Sequence, residues 1–69
     1  MAVLKVVELL SESEVSWEDA TKKAVDKASK SLKNIRSAYV KEQSVTVDDN
    51  KVKMFRVNVK VTFEVADFS

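Results

Sequence analysis

The side chains of this sequence that can take part in chemistry are carboxylates, amines, hydroxyls, one Trp and one Tyr, because its 69 residues include no Cys and no His. Zinc sites built from Cys and His, cysteine nucleophiles and Ser-His-Asp triads are therefore excluded. The absence of Gly also excludes the glycine-rich loops that bind phosphate groups. Without His, the usual group for proton transfer near neutral pH is missing. We therefore predict a binding protein and not an enzyme.

Two groups of residues offer the oxygen ligands that calcium prefers. One surrounds the predicted start of a helix and the other forms a predicted turn; they comprise Glu12, Glu14, Glu18 and Asp19, and Asp48, Asp49 and Asn50. Neither group has the twelve-residue spacing of an EF-hand loop. Acidic residues at helix starts and in turns more often cap the backbone. Calcium ligands and backbone caps therefore remain two open interpretations.

Charge and hydropathy give no support for a nucleic-acid or membrane partner. Twelve Lys and Arg residues face eleven Asp and Glu residues, for a net charge of +1, which provides no general attraction to polyanions. No apolar run approaches the ~20 residues that a membrane span needs, and residues 1–5 lack the apolar stretch of a signal peptide. We therefore expect a cytoplasmic protein.

The length of the chain favours a single domain, residues 1–69, that assembles with copies of itself. A chain this short buries only ~60% of the surface that its unfolded form exposes. Small domains are usually stabilised by disulfides, a metal or oligomerisation, and the absence of Cys excludes the first. We therefore predict a homo-oligomer.

The first half of the chain predicts a strand and a helix. Residues 3–10 are rich in aliphatic and β-branched side chains, which is typical of a strand. Over residues 17–34, apolar or small side chains recur every three or four positions, which indicates one face of a helix. Ser16 is the predicted N-cap, and the Asp19 carboxylate is expected to accept a hydrogen bond from the backbone N–H of Ser16, in a variant of the capping box. Trp17, at the helix start, is predicted to anchor packing.

The second half predicts a hairpin of two strands, residues 38–47 and 52–65. In the absence of Gly, Asp49 and Asn50 are the pair that takes the positive φ of a two-residue turn at least cost. Centring the turn there pairs Val47 with Val52, so that partner numbers sum to 99. The last strand is longer than its partner, and we expect its surplus to pair with another chain.

This register separates an apolar face from a polar one. The apolar face contains Phe55, Val57, Val59, Val61, Phe63 and Val65, with Ala38 and Val40 opposite. The polar face contains Ser37, Tyr39, Lys41 and Gln43, opposite Thr62, Lys60, Asn58 and Arg56. The predicted fold is α+β: a β-α-β-β chain with a three-stranded antiparallel sheet, one helix on its apolar face and the first strand beside the last.

Several segments of this chain resemble the dodecin family. They are Lys5–Leu9, Ser11–Ala20, Ala28–Ile35 and the strand Arg56–Val61 that closes on Phe63. The resemblance implies a hollow dodecamer of twelve β-α-β-β chains, with sheets lining the inside and helices outside. It also implies non-catalytic binding or storage of a small ligand.

Most dodecins bind flavins, and the resemblance identifies the corresponding positions. A Trp at the start of the second strand stacks on the isoalloxazine and a Gln on the third strand bonds its polar edge; here these positions are Ser37 and Arg56. Loss of the ring removes ~1–3 kcal/mol of stacking per base-like group. Tyr39 points to the same face and offers a substitute ring, and Asn58 also lies on this face. Arg56 either holds a flavin phosphate or carbonyl or pairs with an acid across a subunit interface.

Dodecins that lack the Trp bind calcium instead, and Ser37-Ala38-Tyr39-Val40 resembles that branch. The candidate calcium ligands are Glu14, Glu18, Asp19, Asp48 and Asp49. The predicted function is therefore a dodecameric binding or storage protein, with either calcium or a weakly bound flavin (riboflavin or FMN) as ligand. The alternative is a structural or protein-interaction shell without a physiological small ligand.

Overall fold

The computed structural model describes residues 3–65, which form one antiparallel sheet and one helix. The elements follow in the order β1 (Leu4–Ser13), α1 (Trp17–Ala28), β2 (Ile35–Asp48) and β3 (Lys51–Glu64). The strand order is β1-β3-β2, so β3 is central and the other two strands are edges. The predicted α+β class, the β-α-β-β order and the position of the first strand beside the last are confirmed. Residues 1–2 and 66–69 of the predicted domain lie outside the described residues.

The helix ends at Ala28, six residues earlier than the periodicity predicts. The backbone then turns: the N–H of Ser31 donates to the carbonyl of Ala28 at 3.1 Å, and Asn34 has a positive φ of 61°. Strand β2 consequently begins at Ile35 instead of near residue 38. The two hairpin strands have 14 residues each. The expectation that the last strand is longer than β2, and so has unpaired residues along it, is therefore wrong.

The hairpin turn lies where the sequence predicts it. Asp49 and Asn50 have φ values of 52° and 61°, and Val47 pairs with Val52. The constant register along the hairpin is wrong, however, because the pairing shifts at three points, where Arg36, Lys41 and Lys53 are the extra residues. A bulge places one extra residue on one strand and changes the partners beyond it.

The bulge at Lys41 changes two predicted cross-strand pairs. Glu42 lies opposite Asn58, and Ser44 lies opposite Arg56. Gln43, predicted on the polar face opposite Arg56, instead pairs with Val57, whose side chain is fully buried against the helix. The bulge therefore exchanges Gln43 for Ser44 beside Arg56.

The core lies between the helix and the central strand. Val57, Val59 and Val61 of β3 have no exposed surface, and Ala20, Ala24 and Ala28 of α1 are at most 6% exposed. Small alanine side chains bring the helix close to the sheet. The helix packs mainly on β1 and β3 and hardly reaches β2, so Ala38, predicted in the core, is exposed and Val40 is half-buried.

The start of the helix is fixed by two serines and one aspartate. Ser16 Oγ accepts a hydrogen bond from the backbone N–H of Asp19 at 3.0 Å, which confirms the predicted N-cap. The Asp19 carboxylate does not complete a capping box; it accepts from the buried Ser13 hydroxyl at 2.6 Å and lies 3.1 Å from Lys23 Nζ. Ser13 Oγ also accepts from the N–H of Val15 at 2.9 Å. Asp19 therefore connects β1 to the helix.

These contacts make stability depend on pH through Asp19. The Ser13 hydrogen bond and then the one from Lys23 hold the pKa of Asp19 below its usual 3.8. A carboxyl whose pKa is lower in the folded state stabilises the fold fully above its unfolded pKa, and this stability is lost as the pH falls through the folded pKa. We expect Asp19→Asn to be destabilised at neutral pH and to lose less stability than the wild type on acidification.

Urea unfolding followed by circular dichroism, at a fixed chain concentration and a series of pH values on both sides of 3.8, measures this dependence. Asp26→Asn is the matched control, since within residues 3–65 the side chain of Asp26 forms no ion pair. Identical acid dependence in the wild type and in Asp19→Asn would contradict the assignment.

Candidate functional site

The sheet face turned away from the helix, called here the open face, carries the polar side chains. Successive side chains of a strand point to opposite faces, and the buried valines of β3 point to the helix. The open face therefore presents Leu4, Val6, Glu8, Leu10 and Glu12 of β1, Arg56, Asn58, Lys60 and Thr62 of β3, and Ser37, Tyr39, Glu42 and Ser44 of β2. The predicted flavin-type positions all lie on this face.

Two acidic side chains of β1 accept hydrogen bonds from the two flavin-type residues of β3, Arg56 and Asn58. Arg56 donates to Glu12 Oε2 through Nε at 2.9 Å and Nη2 at 2.6 Å. Asn58 Nδ2 donates to Glu8 Oε2 at 2.8 Å, and Lys41 Nζ lies 3.8 Å from the same oxygen. The acid that pairs with Arg56 is therefore on the same chain, not across a subunit interface as one expectation held. Sequence reasoning missed Glu8, and it named Glu12 as a possible calcium ligand and not as the partner of Arg56, because both pairings depend on the β1–β3 register.

The four flavin-type positions do not converge on one point. Ser37 lies opposite Thr62 and Arg56 lies opposite Ser44, which places them about 20 Å apart along the sheet at the usual rise per residue. Tyr39, opposite Lys60, and Asn58, opposite Glu42, occupy the space between. A single flavin ring system cannot contact Ser37 and Arg56 of the same chain.

The single Tyr and the single Trp of the chain have different environments. Tyr39 is 64% exposed on the open face and is available to a ligand. Trp17 lies on the helix side, where its Nε1–H donates to the carbonyl of Ser44 at 2.9 Å and its ring meets Phe55 edge to face, with centroids 5.3 Å apart. These contacts are those of the predicted packing anchor.

The candidate calcium ligands lie at separate places. Glu14 and Glu18 are exposed near the helix start, where Asp19 already binds Ser13 and Lys23. Asp48 and Asp49 lie at the hairpin turn, and Asp48 Oδ2 is 3.8 Å from Lys53 Nζ. Among residues 3–65, no group of three or more acidic side chains is arranged to hold a metal ion.

The helical part of the described chain contains no segment long and apolar enough to cross a membrane.

The dodecin family model matches residues 3–66 of this chain. The chain is 38% identical over 64 residues to calcium dodecin from Mycobacterium tuberculosis, with coverage of 93% of this chain and 90% of that protein. A crystal structure of that calcium-chelating antigen, described as having a novel calcium-binding site, matches at 34% identity with a TM-score of 0.82, covering 97% of this chain and 96% of the other. A point mutant of the Thermus thermophilus dodecin matches at 33% identity with a TM-score of 0.90, covering 97% and 100%.

Proposed function

The chain belongs to the dodecin family, and on this premise we propose that it is a non-catalytic protein that binds calcium within a shell of twelve copies. The choice of ligand rests on Ser37, the residue that the resemblance assigns to the position of the flavin-stacking Trp. A hydroxymethyl group offers no ring to an isoalloxazine. The 38% identity to a calcium dodecin supports the same choice.

The polar groups that would bind a flavin on the open face already form hydrogen bonds within the chain. Arg56, at the polar-edge position, already donates twice to Glu12, and Asn58 donates to Glu8. A flavin that used these groups would have to displace charged acceptors. Weak binding of riboflavin or FMN is the second candidate, and the exposed ring of Tyr39 is the observation that favours it.

We place the calcium site between copies of the chain. Calcium takes six to eight oxygen ligands, whereas no cluster of three acids exists within the described part of one chain. Glu14, Glu18, Asp48 and Asp49 are exposed and accessible to oxygens of a neighbouring copy. Asp19 is the least suitable candidate, because its carboxylate is held by Ser13 and Lys23.

Absence of catalysis and a cytoplasmic location complete the proposal. The first extends the non-catalytic character of dodecins to a chain without His.

Calcium binding is expected as a saturable heat in calorimetry of protein freed of metal with a chelator. Glu14→Gln and Asp49→Asn each remove one candidate ligand, and a tenfold loss of affinity in either would correspond to about 1.4 kcal/mol. Glu42→Gln, which neutralises an exposed acid outside the candidate set, is the control. An unchanged trace in both variants removes these two residues from the site.

The same preparation separates the three functions. Quenching of riboflavin or FMN fluorescence at micromolar concentration, without a calcium heat, would replace calcium by flavin. If neither signal is observed, the remaining function is a structural shell without a small ligand. Native mass spectrometry of protein purified without added ligand reports the number of chains and any retained ligand together, and a monomer would contradict every version of the proposal.

A further inference from the structure

We propose that the free edge of β1 pairs antiparallel with β1 of a second copy, with Leu4 opposite Leu10 of that copy. The inference rests on the self-assembly in the proposed function and specifies one contact that builds it. It is supported by the hydrogen-bonding groups of β1, by the contrast with the β2 edge and by exposed apolar side chains.

The β1 edge has a continuous row of backbone groups available for pairing. The N–H of Val65 donates to the carbonyl of Val3 at 2.8 Å, and the β1–β3 register from Leu4 to Ser13 contains no shift. Hydrogen-bonded and non-hydrogen-bonded pairs alternate along an antiparallel ladder. The odd-numbered residues of β1 therefore bond to β3, and the N–H and C=O groups of the even-numbered residues, Leu4 to Glu12, point to the free edge.

The other edge of the sheet is protected. Strand β2 is interrupted by bulges at Arg36 and Lys41. Both extra residues are basic and both pair with carboxylates: Arg36 Nη2 lies 3.0 Å from Glu64 and Lys41 Nζ lies 3.8 Å from Glu8. Bulges and charged side chains are the devices that prevent edge strands from pairing with other chains. Strand β1, regular over ten residues, has no such interruption.

Exposed apolar side chains along β1 favour coverage of this edge by another strand. Leu4, Val6 and Leu10 are 51%, 56% and 72% exposed on the open face, and burial of apolar surface is worth about 25 cal/mol per Å². A second copy of β1 can cover this edge. Two copies of one antiparallel strand pair about a two-fold axis, so that each contact is made twice.

The side chains select one register. With the axis at Val7, Leu4 lies opposite Leu10 of the second copy, and Val6 lies opposite Glu8. With the axis at Glu8, two like charges lie directly opposite, which is destabilising. With the axis at Val6, Leu4 lies opposite Glu8, and Leu10 falls beyond Leu4, the first residue of the described strand. The register about Val7 alone pairs both leucines and separates the two Glu8 side chains.

Disulfide trapping tests this register, and the chain contains no native Cys to interfere. Directly opposed residues of a hydrogen-bonded antiparallel pair have Cα atoms about 5.5 Å apart, within the roughly 4.4–6.8 Å range of disulfides. The double variant Leu4→Cys/Leu10→Cys should form a covalent dimer under mild oxidation. Within one chain these positions are about 20 Å apart, so no internal bridge competes.

The single variants Leu4→Cys and Leu10→Cys are the controls, because in the proposed register each residue lies about 20 Å from its own copy. Mass spectrometry of the linked peptides should join the segment around residue 4 to the segment around residue 10. Cross-linking of either single variant, or no dimer from a double variant that keeps the wild-type circular dichroism, overturns the β1 pairing.

The mass of the uncrosslinked wild type shows whether the chain assembles at all, and so distinguishes failure of the β1 contact from failure of the proposed function. An assembly of many chains in which the double variant forms no disulfide would refute the β1 contact and leave the proposed function intact. A monomeric wild type would refute both.

Discussion

Ser37→Trp is expected to bind riboflavin and FMN about 10- to 100-fold more tightly than the wild type. Stacking of a base-like ring on an aromatic side chain is worth ~1–3 kcal/mol, and each 1.4 kcal/mol is a tenfold change in affinity. Ser37 is exposed on the open face, so the larger side chain needs no rearrangement of the core. Titration of flavin fluorescence against both proteins measures the gain.

Ser44→Trp is the matched control for this gain. Ser44 is also an exposed serine of β2 on the open face, but it lies opposite Arg56, about 20 Å along the sheet from Ser37. An indole there has the same size and polarity without the stacking position, and we expect no increase in affinity. Equal gains in the two variants would indicate nonspecific stacking, and no gain in Ser37→Trp would contradict the assignment of that position.

Calcium binding by Ser37→Trp tests whether the two ligands compete for one place. The candidate calcium ligands lie near the helix start and at the hairpin turn, away from Ser37. A variant that gains flavin and keeps its calcium heat would place the sites apart.

The hairpin turn was predictable because its determinants are local. Without Gly, the positive φ values had to fall on Asp49 and Asn50, and they do. The bulge at Lys41 was not predictable in this way, since the extra residue pairs with Glu8, a partner more than thirty positions away in sequence. The face of Gln43 follows from that bulge and was assigned incorrectly for the same reason.

The end of the helix illustrates a second limit of sequence patterns. Leu32 continues the helical spacing of Ala24 and Ala28, so periodicity alone extends the helix to residue 34. In the structure the chain must leave the helix early, because Ile35 already pairs with Phe63 in the sheet. The requirement comes from the length of the partner strand, which the local pattern does not contain.

The site was predictable as a face and not as a geometry. Strand alternation places Ser37, Tyr39, Arg56 and Asn58 together on the open face, as expected from the sequence. Their distribution over about 20 Å, and the occupation of Arg56 by Glu12, depend on the register of three strands. A ligand with a single ring system cannot reach both ends of this set on one chain, so in the proposed shell it would contact two chains.

Ala24→Leu is expected to lower the free energy of unfolding by about 1–3 kcal/mol, the usual cost of adding atoms to a filled core. Ala24 is 5% exposed, and the valines packed below the helix have no exposed surface. The added methyl groups have to push the helix from the sheet. For a chain of this length the total stability is of the order of 3–10 kcal/mol, so this loss is a large fraction of it. Urea unfolding at fixed chain concentration measures the change.

Ala38→Leu adds the same atoms to the other kind of alanine in this fold. Ala38 lies opposite the buried Val61 but is exposed, because the helix hardly reaches β2. We expect a change within about 0.5 kcal/mol, as for surface substitutions. If Ala38→Leu destabilises as strongly as Ala24→Leu in the isolated chain, the helix must cover β2 as well as β3. If it destabilises only at concentrations at which the chain assembles, a second copy covers the part of β2 that the helix leaves open.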